Sequence, residues 1–112
     1  MTTARLNARE LAPEGYAALA NVEACIQRCG LEKSLLELVK MRASQINGCA
    51  FCLDMHSRDA RRRGETEQRL YLLNAWRKSP LYGERERAAL AWTECLTLVA
   101  SHGAPDAEYE AA

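Results

Sequence analysis

The stretch NGCAFCLDMH, residues 47 to 56, gathers two of the chain's five cysteines and one of its two histidines. Cys49 and Cys52 are three apart, and His56 follows four residues later. Two thiols at that spacing can close a disulfide, supply half of a zinc site, or serve as small apolar residues on a buried helix face. The residues that face them decide between these readings. Asn47-Gly48 is a strong turn signal, so the segments on either side are read as an antiparallel helical hairpin. Residues equidistant from that turn face each other, which pairs Glu37 with His56, Met41 with Cys52 and Ser44 with Cys49. Positions 37, 41 and 44 share one helical face, as do 49, 52 and 56.

A structural seam between two helices is expected to be apolar, because a buried carboxylate is costly unless paired. Here Glu37 meets a natural partner in His56. The cysteines fall in the first turn of their helix, where unpaired amide groups and the helix dipole stabilise a thiolate. His56, one turn after Cys52, is placed to take a thiol proton directly or through water, and Glu37 is placed to orient the imidazole. An activated thiol with a second thiol in disulfide reach can be oxidised by a peroxide to a sulfenic acid, which the second thiol condenses to a disulfide. Zinc is the competing reading, with Cys49, Cys52, His56 and Glu37 as four ligands. Structural zinc sites usually draw on two separated elements, and a second Cys/His pair is absent; Cys25 and Cys29 would fill in only if the first helix packs close by.

The elements that must carry this seam read as all-α. Ala, Leu, Glu and Arg dominate, β-branched residues are sparse, and no segment alternates with period two. A first helix opens at Pro13 and stops at Gly30, with Tyr16, Leu19, Ala20 and Ile26 as a rough apolar stripe. The second helix is predicted over 32–47 and the third from about Cys49 to Gly64. A fourth covers about 66–78, stopped by Ser79-Pro80. The fifth runs from about Glu84 to Ser101 and is expected to bury Leu90, Leu96 and Val99. At the C-terminus, GAPDAEYEAA reads as a helix start with little length behind it, which is marginal alone. Such a tail is expected to dock on another subunit or to belong to a shortened chain.

At 112 residues the chain is expected to be one domain with a modest core. Fifteen basic and fifteen acidic residues balance, so no global field favours nucleic acid or an anionic membrane. The N-terminal MTTARLNAREL has no apolar run, and no segment reaches the length needed to span a bilayer. A cytoplasmic protein is the expectation. An odd cysteine count without a secretory signal argues against a disulfide framework. The remaining chemistry-bearing residues have structural readings. Cys25 and Cys29, one turn apart, are expected to be small buried residues, and Cys95 to lie in the core. Arg58, Arg61, Arg62 and Arg63 suit a solvated helix C-terminus. His102 suits a helix end, and Trp76 and Trp92 suit core or interface anchors.

The stretches ELVKMRASQINGCAFCLDMHSRDA and LLNAWRKSPLYGERERAALAW resemble the core of the alkylhydroperoxidase D-like (AhpD-like) proteins of the carboxymuconolactone decarboxylase superfamily. The resemblance covers roughly residues 13 to 100, with the glutamate, the Cys-x-x-Cys and the histidine at the family's spacing. It implies an all-helical AhpD-like domain with a central helix hairpin carrying the Cys-x-x-Cys, assembled as a homotrimer or homohexamer. It implies a thiol-dependent peroxidase that reduces hydroperoxides through a Cys49–Cys52 dithiol/disulfide cycle, re-reduced by a dithiol or lipoyl-type partner protein, without cofactor or metal. Glu37, Cys49, Cys52 and His56 would be the catalytic set, with Cys52 meeting the peroxide and Cys49 resolving it. Two departures stand out. The best-known members carry a histidine where this chain has Phe51, and members of the most similar subgroup usually continue for two further helices. The alternatives are a decarboxylase of the same superfamily, which would not rely on a Cys-x-x-Cys pair, and a thiol redox sensor or scaffold that oxidises once.

Overall fold

The computed structural model describes residues 4–112; the first three residues of the N-terminal stretch lie outside the described residues. Among the described residues every regular element is helical. The chain divides into two compact units at Leu31/Glu32.

The first unit holds α1 (Ala8–Leu11) and α2 (Pro13–Gln27). Pro13 suits the start of α2, where its fixed φ is helical and its missing N–H has no partner to lose. The chain leaves α2 through Arg28, whose N–H reaches the Cys25 carbonyl at 3.0 Å, while the Cys29 N–H reaches that of Ile26 at 3.2 Å, and then turns at Gly30 with φ 95°. No residue of either helix is buried. Leu19 is 73% exposed, and the thiols of Cys25 and Cys29 are free and exposed, against the expectation that they pack inside. The reason is local: α1 has four residues and cannot cover a fifteen-residue helix.

The second unit contains the core and the hairpin. It is built from α3 (Lys33–Asn47), α4 (Ala50–Arg62), α5 (Glu67–Leu72), a 3-10 segment (Leu73–Lys78), α6 (Glu84–Thr97), α7 (Val99–His102) and α8 (Asp106–Ala111). Leu38, Leu73 and Leu90 are at most 1% exposed, and Met41, Trp76 and Tyr82 pack around them. α3 is the central element, packed on α4 along one side and on α6 along another. Its seat on α6 is fixed by Arg42, whose Nε donates to Glu94 at 3.2 Å while Nη1 donates to Asn74 at 3.0 Å.

Glu94 collects three donors: Arg42, Arg77 at 3.1 Å and the buried Trp76 indole at 2.6 Å. Burial alone would push the Glu94 carboxyl up, but the hydrogen bonds from Trp76, Arg77 and Arg42 outweigh it and hold it below 4.5. A similar node ties the loop before α6. Arg69 pairs with Glu65 and Glu86 and donates to the Leu81 carbonyl, while the Tyr82 hydroxyl donates to the Arg69 carbonyl.

Two boundaries differ from expectation. The predicted helix over 66–78 is α-helical only to Leu72; a 3-10 segment follows from Leu73 and is kinked at Ala75, which takes φ −119°, ψ 28°. Leu73 and Trp76, on either side of that kink, are both buried. The fifth predicted helix stops at Thr97, and Leu98 leaves α geometry, so the period that would have buried Val99 is broken. Leu96 is 47% exposed because it stands about 120° around α6 from the buried Leu90. The C-terminal turn α8 packs on α6 of its own chain, with Tyr109 edge-on to Trp92 at 5.7 Å between ring centres. Cys95 is buried as expected. Arg58, Arg61 and Arg62 form exposed ion pairs with Asp54, Glu67 and Asp59. Among the described residues no helix is long and apolar enough to cross a membrane.

Candidate functional site

The turn between α3 and α4 is built by backbone hydrogen bonds that share one residue. Gly48 takes φ 63°, ψ 32°, a left-handed conformation open to glycine at little cost. Its N–H reaches the Gln45 carbonyl at 3.2 Å, and the Cys49 N–H reaches the Ser44 carbonyl at 3.1 Å. This six-to-one and five-to-two pair closes α3 and hands the chain to Cys49. Cys49 is then the N-cap of α4, with its sulfur accepting from the Cys52 amide at 3.3 Å. One residue therefore ends one helix and starts the next, which fixes the register of the two facing sides.

That register brings the reactive residues onto one seam, as the reflection about the turn predicts. Cys49 and Cys52 form a disulfide with their Cα atoms 5.3 Å apart. Both are half-buried. One turn further along α4, His56 Nδ1 lies 2.9 Å from Glu37 Oε2. Glu37 is 6% exposed and lies between the buried Leu36 and Leu38, so the imidazole satisfies a carboxylate that would otherwise be stranded in the core. With Glu37 as a carboxylate acceptor, Nδ1 is the donating nitrogen, and in the neutral tautomer that this contact fixes Nε2 carries the lone pair. Met41, on the same face of α3, is buried at 5% exposure. Ser44 is buried too, but its hydroxyl donates back to the Lys40 carbonyl at 2.6 Å and takes no part in the sulfur chemistry.

Asp59 is a member that sequence reasoning missed. Ligand atoms of Glu37, His56 and Asp59 all lie within 4.8 Å of one another. Asp59 sits three residues after His56, on the same side of α4, and that spacing is the signal that could have found it. Among the described residues this trio is the set able to converge on a cation, and it differs from the zinc set read in the sequence because neither cysteine belongs to it. Asp59 also accepts from Arg62 at 3.0 Å.

Phe51, between the cysteines, is 75% exposed, and Met55 one turn later is 38% exposed. Cys25 and Cys29 lie in the other unit, as free, exposed thiols.

Comparison with known proteins places this arrangement among relatives. The sequence pattern of the Carboxymuconolactone decarboxylase family matches residues 12–94. The uncharacterized protein YdfG of Bacillus subtilis is 45% identical over 105 residues, spanning 94% of this chain and 71% of that protein. The uncharacterized protein YnjA of Escherichia coli is 32% identical over 72 residues, 64% of this chain and 40% of its own length. A crystal structure of a protein of unknown function from Agrobacterium tumefaciens, with a suggested role as an antioxidant defence protein AhpD, superposes with a TM-score of 0.90 at 44% identity, covering 97% of this chain and 75% of that one.

Proposed function

This chain belongs to the carboxymuconolactone decarboxylase family, as one of its AhpD-like members, and we propose that it is a thiol-dependent peroxidase. In this reading it reduces hydroperoxides through a Cys49–Cys52 dithiol/disulfide cycle, with both units forming one AhpD-like domain. The observation that carries the reading is the seam itself: a Cys-x-x-Cys at a helix N-terminus, followed by a histidine held at 2.9 Å by a buried glutamate.

The proposed cycle starts from the reduced pair. His56, through Nε2, takes the Cys52 thiol proton directly or through a water. The Cys52 thiolate attacks the terminal oxygen of the hydroperoxide, the O–O bond breaks, and the alkoxide leaves as an alcohol with the proton from His56. Cys52 is now a sulfenic acid. The Cys49 thiol attacks that sulfur, its proton and the departing hydroxide leave as water, and the disulfide forms. A dithiol donor, small or carried by a partner protein such as a lipoyl domain, then attacks the disulfide and leaves it reduced and itself oxidised. The hydrogen bond from the Cys52 amide to Cys49 Sγ at 3.3 Å supports Cys49 as the leaving sulfur in that exchange, because it steadies the departing thiolate. Glu37 is a positioning residue that fixes the imidazole through Nδ1.

The test is dithiol-driven turnover of an organic hydroperoxide by wild type and by Cys52→Ser. The proposal expects many turnovers per chain in wild type and none above background in the variant. Unchanged turnover in Cys52→Ser would sink the assignment. A sensor would oxidise once and stop, and a decarboxylase would be indifferent to both cysteines.

A further inference from the structure

His56 does not face Glu37 alone. Asp59, three residues further along α4, brings a second carboxylate to the imidazole, and ligand atoms of Glu37, His56 and Asp59 all lie within 4.8 Å of one another. The three come from two helices: Glu37 from α3, the other two from one side of α4. Glu37 lies buried between Leu36 and Leu38, and its Oε2 stands 2.9 Å from His56 Nδ1. Ligand atoms around a four-coordinate zinc, each about 2.0–2.2 Å from the ion, are about 3–3.5 Å apart. The Glu37–His56 pair is already close to that spacing, and Asp59 reaches it by closing about an ångström. The Asp59 side chain is 37% exposed, with room to turn. Its pair with Arg62 at 3.0 Å is a weak competitor for a cation, because that guanidinium is 74% exposed.

We infer that Glu37, His56 and Asp59 bind a divalent cation of the zinc class, and that the bound cation takes from His56 the lone pair on which thiol activation depends; this second half rests on the peroxidase reading above. One imidazole and two carboxylates make a mixed nitrogen and oxygen set. That set suits zinc and its transition-metal neighbours, whereas magnesium and calcium favour oxygen alone. Two carboxylate charges also balance the dication at a half-buried position. His56 stops being a base whichever ring nitrogen binds. At Nε2 the cation occupies the lone pair directly. At Nδ1 the ring proton moves to Nε2, which becomes a donor. In either case the Cys52 thiol loses its proton acceptor and reacts slowly, since the thiolate is the nucleophile. Neither sulfur belongs to the site, so it persists when Cys49 and Cys52 are joined. Nothing is oxidised or reduced on binding, and the brake is released when the cation leaves.

Calorimetric titration of zinc chloride into oxidised protein reads the site with no thiolate of Cys49 or Cys52 to compete. The background is Cys25→Ser/Cys29→Ser, which removes the exposed free thiols. One zinc per chain is expected, and Asp59→Ala should weaken binding at least about tenfold. Arg62→Ala, which removes the competing guanidinium, should bind at least as tightly as the background. A thermal scan checks that both variants fold, and Asp59→Asn repeats the reading if the alanine variant melts early. Zinc held equally well without the Asp59 carboxylate, or not held by the background at all, would overturn the site. The inhibitory half is read on pre-reduced protein, by single-turnover oxidation with cumene hydroperoxide and no added dithiol, which would itself take up zinc. Asp59→Ala should then need at least about tenfold more zinc for half inhibition. Equal sensitivity would assign the inhibition to the thiolates and overturn that half. A background protein that hydroperoxide does not oxidise defeats the peroxidase reading, and the inhibitory half with it; the calorimetry still decides the cation site.

Discussion

The chain carries two pairs of closely spaced cysteines, and the structure treats them in opposite ways. Cys25 and Cys29 are free and exposed, the first in the last turn of a helix with no buried residue and the second just beyond it. Cys49 and Cys52 are joined, at the first turn of a helix whose opposite wall supplies a buried glutamate and its histidine partner. Residue type and near-equal spacing are common to both. What differs is the helix end and the facing element. At the start of α4 the Cys52 amide donates to the Cys49 sulfur; after Cys25 the carbonyls of Cys25 and Ile26 are taken by the N–H groups of Arg28 and Cys29. The comparison teaches that a thiol pair becomes a candidate reaction centre through its position in a hairpin, and that cysteine count alone says little.

The largest expected effect separates the pairs outright. On the proposed reading, Cys52→Ser or Cys49→Ser removes dithiol-driven turnover, a loss of about a hundredfold or more, while the double variant Cys25→Ser/Cys29→Ser stays within about twofold. Serine is a good N-cap, so the Cys49 variant should fold. Activity lost equally from the α2 pair would break the contrast. Glu37→Gln comes next. It keeps an acceptor for His56 Nδ1 but not the charge, and should slow oxidation of the reduced thiol about tenfold to a hundredfold. The rate of alkylation of Cys52 by iodoacetamide should fall in parallel; a merely loosened seam would expose the thiol and speed it.

The two units should also differ in how they bear truncation. Leu90→Ala, at a fully buried position, is expected to cost about 2–5 kcal/mol in a denaturant melt. Leu19→Ala on the exposed face of α2 should stay within about 0.5 kcal/mol. The smallest effect is the acid limb of stability. Burial raises the Glu94 and Glu86 carboxyls, but their hydrogen bonds, from Trp76, Arg77 and Arg42 and from Arg69 and the Gly83 amide, win and hold both below 4.5. A carboxyl lowered on folding stabilises the fold fully above its unfolded value. Stability is then lost as pH falls from about 4.5 through the folded value. Melts of Glu94→Gln should show a flatter acid limb than wild type, with lower stability at neutral pH.

How much of this was legible in the sequence depended on whether local signals sufficed. The seam was, because Asn47-Gly48 fixes the turn and a hairpin's register follows from reflection about it; the Glu37–His56 contact lies where the sum of positions places it. The helix start at Pro13 and the buried Cys95 followed from local pattern in the same way. The break at Ala75 was not visible, since Leu-Asn-Ala-Trp is compatible with continued helix and tertiary demand for both Leu73 and Trp76 in the core decides it. Burial of Cys25, Cys29, Leu96 and Val99 was misjudged because apolar periodicity shows a face without showing whether anything covers it. Asp59 escaped notice because exposed-looking acids after a histidine are common, and only the folded seam shows it beside Glu37.

The central claim is that the Cys49–Cys52 pair is oxidised at the expense of a hydroperoxide. The most direct measurement mixes fully reduced protein with one equivalent of cumene hydroperoxide and follows peptide mass and alcohol together. The account predicts one alcohol formed per chain and a disulfide confined to the peptide holding Cys49 and Cys52, with Cys25 and Cys29 still open to alkylation. Hydroperoxide left unconsumed, or consumed while Cys49 and Cys52 remain reduced, would contradict it.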